Sequence, residues 1–191
     1  MKPLTPTTPH VIIMVGIPGA GKTTFAEHFA KTFSAPYINQ ATIVQQAELS
    51  KHNADKVSHI LLTELLKTNR TLVYEGATAT RLQRLTLGKQ IIKAGYRPLI
   101  VWVQTESVEA KRRATKSSNV AAVSPSTFDA AIRTFQPPLA VEKAVVMSGK
   151  HTYATQIKVV LKHLAGTRPA TADSSEPDQP RPRTGRNIIV R

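Results

Sequence analysis

Along this chain the hydrophobic positions change period repeatedly, and each change marks a strand or a helix. Val11 to Val15 form a continuous apolar run rich in β-branched residues, which predicts a short strand covered on both faces. Phe25, Phe29 and Phe33 then recur every four residues, the spacing of one helical face. Ser34-Ala35-Pro36 breaks that helix, and residues 36–39 read as a second short strand. Residues 41–50 and 54–68 carry helical patterns. In the second, Val57, Ile60, Leu61 and Leu65 form the expected inward stripe, with Asn53 as its candidate cap. Thr71 to Tyr74 predict a third strand that ends at Glu75-Gly76. From Thr80 a helix is expected to about Ala94, with Leu82, Leu85, Ile91 and Ile92 inward and Gly95 closing it. Pro98 to Val103 predict a fourth buried strand that carries the single Trp. Residues 105–142 are helical in pattern but polar and basic, broken at Ser124-Pro125 and Pro137-Pro138, as a helical lid would be. Ala144 to Met147 give a fifth strand. Residues 152–164 give a closing helix with Tyr153, Ile157, Val160, Leu161 and Leu164 on one side. Strands alternating with helices predict an α/β fold, a parallel sheet with helices on both faces.

The stretch between the first strand and the first helix carries the chemistry. Gly16-Ile17-Pro18-Gly19-Ala20-Gly21-Lys22-Thr23 is a full G-x-x-x-x-G-K-[ST] phosphate loop, and it sits between strand and helix as that motif requires. Gly16, Gly19 and Gly21 let the backbone curl and aim successive N–H groups inward, and the helix N-terminus adds its positive end. Residues Gly16 to Thr24 are therefore expected to cradle a nucleoside triphosphate. Lys22 would reach the β- and γ-phosphates, and the Thr23 hydroxyl would ligate the Mg²⁺ that bridges them. ATP and Mg²⁺ are the expected ligands.

Composition narrows the setting. With no cysteine, disulfides, thiolate zinc sites and cysteine nucleophiles are excluded. Residues 1–9 hold three prolines and no apolar core of a secretory leader, and no run approaches a membrane span, so a soluble cytoplasmic protein with no membrane partner is expected. The formal charge is +14. Its excess is spread along the chain, with one local cluster at Lys111, Arg112, Arg113 and Lys116. Such a field attracts ATP and polyanions alike and makes an anionic acceptor, nucleic acid or a phosphorylated or sugar-nucleotide substrate, a candidate partner.

At these residues the chain resembles a family: the small P-loop kinases, especially polynucleotide 5′-kinase-like and zeta-toxin-like proteins, loosely grouped with AAA-type ATPases. The resemblance rests on Gly16 to Thr24, on Val73-Tyr74-Glu75-Gly76 followed by Arg81 and Arg84, on the basic stretch 111–116, and on Ser148-Gly149-Lys150-His151. It implies a five-stranded sheet of order 2-3-1-4-5 and transfer of the ATP γ-phosphoryl to a hydroxyl. By that resemblance Glu75, at a strand's carboxyl end, organises Mg²⁺ or substrate. Arg112, Arg113 and Lys116 lie three and four apart, so one helical face either brings them over the triphosphate, with Arg113 stabilising the transferring phosphoryl, or is simply a solvated face; Lys150 follows the fifth strand, where relatives pack the adenine. Lys22, Glu75 and Arg113 are thus the expected catalytic set, and Thr23 with Glu75 the metal set. Such kinases place an aspartate just after the second strand, where this chain has Asn39-Gln40-Ala41-Thr42 and no carboxylate. That departure opens a second function class, a nucleotide-dependent binding or regulatory module without phosphotransfer. Among the other acids, Glu48 and Asp55 read as solvated helix ends, and Glu106, Glu109, Asp129 and Glu142 as lid residues. His52 and His59 lack metal-ligand spacing and read as surface histidines.

Three regions are expected: a flexible N-terminus over 1–9, one domain over 10–165, and a disordered Pro/Arg-rich tail over 166–191. The tail ends in a short hydrophobic motif, Ile188-Ile189-Val190, suited to binding a partner. Deleting residues 167–191 is expected to leave the melting temperature and ATP affinity nearly unchanged, because so few apolar residues bury little against the ordering entropy. A drop of more than a few degrees in a thermal melt would show instead that the terminal motif docks on the sheet.

Overall fold

A computed structural model describes residues 8–116 and 122–166. The expectations for 1–7, for 117–121 and for the tail beyond 166 lie outside the described residues. The chain runs β1 (His10–Val15), α1 (Lys22–Phe33), β2 (Tyr37–Asn39), α2 (Gln40–Gln46), α3 (Lys51–Leu66), β3 (Leu72–Glu75), α4 (Arg81–Lys93), β4 (Arg97–Gln104), α5 (Ser107–Thr115), α6 (Pro125–Thr134), a 3₁₀ turn (Ala140–Glu142), β5 (Val145–Ser148) and α7 (Tyr153–Gly166). The five strands form one parallel sheet in the order β2-β3-β1-β4-β5, as the resemblance implied. β1 lies at its centre with all six residues buried, which is why its sequence is continuously apolar rather than alternating.

Alternate residues of β1 feed two cores. Ile12 and Met14 pack with Phe25 and Phe29 of α1 and Val160 and Leu164 of α7, whereas Val11, Ile13 and Val15 pack with Leu62 and Leu66 of α3 and Leu87 and Ile91 of α4. The Phe25, Phe29 and Phe33 rings, tilted against one another with centroids 6.0 and 4.7 Å apart, account for the four-residue repeat. A third, small cluster of Ala110, Ala114 and Phe128 joins α5 to α6 and packs on Ile17 of the phosphate loop, and Lys111 pairs with Asp129 across it at 2.7 Å.

Two helices turn a different face inward from the one their pattern predicts. In α3 the buried stripe is Ala54, Ser58, Leu62 and Leu66, while Ile60 is 61% exposed and Leu61 is exposed too; Ser50, not Asn53, caps the helix. In α4 Leu82 and Ile92 are 73% and 62% exposed and Leu85 also faces solvent; of the expected stripe Ile91 is buried, and Arg84 and Leu87 face the sheet with it. The inward face of α4 carries a buried ion pair. Arg84 is buried, and its Nε and Nη2 donate to the Glu142 carboxylate while Nη1 donates to the carbonyls of Thr78, Ala79 and Gln136 at 3.1, 3.3 and 2.9 Å. Their side chains are 1% and 5% exposed, so Glu142, placed with the lid by its position, is the buried partner of Arg84. The pair ties the segment after α6 to the loop after β3, and Gln136 N–H donating to the Ala79 carbonyl at 2.9 Å completes the tie.

Candidate functional site

The phosphate loop spans the carboxyl end of β1 and the N-terminus of α1, and its neighbours grip it closely. Gly19 adopts a φ of 74°, and a Cβ there would lie 2.1 Å from the Ala110 carbonyl oxygen, so only glycine lets the loop pass under α5. Gly149, in the turn after β5, is as tight, since a Cβ would lie 1.9 Å from the Ala20 carbonyl oxygen. The Thr105 hydroxyl donates to that same carbonyl at 3.0 Å. Gly21 caps α1 with no side-chain hydrogen bond, which leaves the first amides of the helix to meet an anion. Lys22 Nζ donates to the Ile17 carbonyl at 3.0 Å, folding the ammonium across the loop. Burial pushes this lysine below the ordinary range, and the Glu75 carboxylate acts against that shift.

Glu75 stands at the carboxyl end of β3 with both oxygens engaged. Thr23 Oγ1 donates to Oε1 at 2.9 Å, and the Tyr37 hydroxyl donates to Oε2 at 2.6 Å. Asn39 Nδ2 in turn donates to the Tyr37 hydroxyl at 2.9 Å, while Asn39 Oδ1 caps α2 through the amides of Ala41 and Thr42. Burial, followed by the charge of Glu75, pushes the Tyr37 phenol far above its ordinary range, so it remains a donor. Thr23 and Glu75 thereby present a hydroxyl and a carboxylate side by side. Two hard oxygen donors fit Mg²⁺, which takes one or two protein oxygens and completes its shell with phosphate and water. Among the described residues no group of three or more His, Cys, Asp or Glu has the geometry of a dedicated metal cage.

The basic residues separate. Arg113 reaches the turn after β5 that abuts the phosphate loop: its Nη1 donates to the Gly149 carbonyl at 3.0 Å and its Nε to Glu109 at 2.7 Å. Arg112 lies three residues from Glu109, pairs with it at 2.8 Å and is 59% exposed. Together the two guanidiniums, Arg112 foremost, hold the Glu109 carboxyl at about 2. Arg113 lines a cavity of about 220 Å³ beside the loop with Gly21, Thr24, His28, His151 and Tyr153. Lys150 does not line it. Its ammonium pairs with Glu106 at 3.1 Å and borders a larger cavity of about 480 Å³, walled by Trp102, Gln104 and Phe135 at the carboxyl end of β4.

Several of these residues were not singled out by the sequence reading. His28 lies four residues after Thr24, and that spacing puts both on one face of α1; the ring of His28 stands edge-on to Tyr153 at 5.1 Å. Tyr37 precedes Asn39 by two, the strand period that puts both on one face of β2. Both signals are present in the sequence but too common to select a site. The described residues include no helix long and apolar enough to cross a membrane.

Comparison with known proteins agrees with this architecture. The AAA domain family matches residues 11–138. Among solved structures, a putative kinase from Chloroflexus aurantiacus superposes with a TM-score of 0.66 at 18% identity, covering 83% of this chain and 97% of that one. A gluconokinase from Sinorhizobium meliloti gives 0.60 at 16% identity, covering 83% and 93%. Kti12 from Chaetomium thermophilum, solved in complex with ADP-AlF3, gives 0.62 at 17% identity, covering 81% and 97%. No curated protein matches the sequence. At these identities the structural likenesses show the fold, which is that of the P-loop kinases.

Proposed function

We propose that this chain, which belongs to the AAA domain family, binds Mg-ATP in its phosphate loop and transfers the γ-phosphoryl group to a hydroxyl acceptor. The observation that carries the reading is the hydrogen bond from Thr23 to Glu75. It joins the last residue of the motif to a carboxylate 52 positions away, beside Lys22 and a helix N-terminus that no side chain caps. The loop amides would hold the phosphates, and Lys22 would exchange the Ile17 carbonyl for β- and γ-phosphate oxygens. Thr23 and Glu75 would hold Mg²⁺, which when bound offsets the phosphate charge. The cavity at Thr24, His28 and Tyr153 suits a purine, with Arg113 at its phosphate end. For Arg113 to serve the transferring phosphoryl, its guanidinium must exchange part of its bond to Glu109 for the nucleotide. An anionic acceptor fits the basic charge.

A second reading, a nucleotide-dependent binding module that does not turn over, has one observation in its favour: residues 39–42 carry no carboxylate where a proton acceptor would serve the acceptor hydroxyl. Calorimetry tests the part common to both. Lys22→Ala is expected to weaken Mg-ATP binding by about 10- to 100-fold, since it removes a charged hydrogen bond to phosphate, and Thr23→Ala by about tenfold. Unchanged affinity in both variants would remove the phosphate loop from the site.

A further inference from the structure

Nine acidic residues lie in the described part of the chain, and their partners sort them. Glu64, Glu106, Glu109, Asp129 and Glu142 are each tied to a lysine or arginine. Glu27 is exposed on α1, and Glu48 lies in the turn between α2 and α3. Glu75 has one oxygen on Thr23 and the other on Tyr37, which commits it to the metal side of the loop. Asp55 is the remaining carboxylate.

Asp55 is half-buried near the start of α3, and its Oδ1 accepts from the side-chain amide of Gln40. Gln40 is itself buried and is the first residue of α2, directly after Asn39 at the end of β2. Asn39 is in register with Glu75, so Gln40 carries Asp55 to the rim on which Glu75 stands. Tyr74, the residue before Glu75, marks the same rim. Its hydroxyl lies under Gly76, where a Cβ would be only 2.6 Å away, and burial and then the charge of Asp55 push its phenol upward. Asp55 therefore sits toward the carboxyl ends of β2 and β3, the side of an open parallel sheet where ligands collect, on the face that α3 covers and apart from the Thr23–Glu75 pair. No cation among the described residues pairs with it, and the side-chain amide of Gln40 holds one oxygen, so the second oxygen is left to accept a proton.

We propose that Asp55 accepts the proton of the acceptor hydroxyl, with Gln40 positioning it; this rests on the phosphotransferase reading above. The hydroxyl oxygen bonds to the γ-phosphorus of ATP. The bond from that phosphorus to the β,γ-bridging oxygen breaks with its electron pair leaving on ADP, and the hydroxyl proton passes to Asp55. The carboxylate missing after β2 is thus supplied from α3, across one side-chain amide.

The test uses the full chain, γ-labelled ATP with Mg²⁺, and a panel of sugars, sugar acids, nucleosides and 5′-hydroxyl oligonucleotides, with Mg-ATP affinity measured in parallel by calorimetry. On the acceptor that the wild type phosphorylates, Asp55→Asn is expected to lower turnover by about 100-fold or more and to leave Mg-ATP affinity within about twofold. Gln40→Ala, which keeps the carboxylate but frees it, is expected to lose about tenfold or less. Asp55→Ser replaces Asp55→Asn as the reporter should that variant fail to fold. Turnover within about threefold of wild type in Asp55→Asn, with Glu75→Gln inactive, would overturn the role of Asp55 and leave the phosphotransferase reading standing. A wild type that binds Mg-ATP and phosphorylates nothing in the panel would overturn both.

Discussion

Replacing Glu75 with Gln is expected to lower phosphoryl-transfer turnover by about two to four orders of magnitude while Mg-ATP still binds. Glutamine keeps the size of the side chain and an oxygen that can accept from Thr23 Oγ1 or from Tyr37. What it removes is the negative charge. That charge lies beside Lys22, and it is the harder of the two protein donors that Mg²⁺ would take, so its loss falls on the transition state more than on the resting nucleotide. The comparison with Lys22→Ala is diagnostic, because that variant should lose affinity and turnover together. Rapid-quench measurement of labelled transfer, with calorimetric affinity on the same preparations, checks both. A wild type that hydrolyses ATP no faster than Glu75→Gln favours the binding module. An active Glu75→Gln variant would show that the acid organising the reaction lies elsewhere.

Arg84→Ala is expected to cost about 3–5 kcal/mol of stability, the range for breaking a buried ion pair from one side. Glu142 would be left buried without its cation, and the carbonyls of Thr78, Ala79 and Gln136 would lose their common donor. A loss of that size is a large share of the stability of a domain this small. The double replacement Arg84→Met with Glu142→Leu should recover most of it, because neither charge then remains buried alone. Denaturant unfolding of the three variants decides the matter. A single variant within about 1 kcal/mol of wild type would mean that the pair adds little beyond its own desolvation. The effect on the site is indirect: Thr78 Oγ1 donates to the Met14 carbonyl at 2.8 Å, so the loop that Arg84 holds also braces the strand leading into the phosphate loop.

The sheet and the phosphate loop were legible because their signals are local. A strand buried on both faces must be apolar at every position, and β1 is; a loop that curls round phosphate needs glycine at fixed offsets, and Gly16, Gly19 and Gly21 stand there. Strand order 2-3-1-4-5 came from resemblance rather than from periodicity. Helix faces were less legible. In α3 two stripes compete, Val57, Ile60, Leu61 and Leu65 against Ala54, Ser58, Leu62 and Leu66, and the more hydrophobic of them is not the one that packs throughout. A helix chooses the face whose side chains fit the surface offered by β2 and β3, and that surface has no trace in the helix's own sequence.

By itself, then, the sequence determined where strands and helices alternate and where a triphosphate would sit, because each of those features is written within about a dozen consecutive residues. Tertiary structure decided the partners. Thr23 meets Glu75 across 52 positions, Arg84 meets Glu142 across 58, and Gln40 meets Asp55 from the neighbouring helix. An arginine in a helix pattern reads as surface until a distant carboxylate draws it inward, and an aspartate near a helix start reads as solvated until packing of α3 on β2 and β3 brings an amide to it. Both outcomes follow from the cost of burying a polar group without a partner, a cost that only the assembled fold can offset.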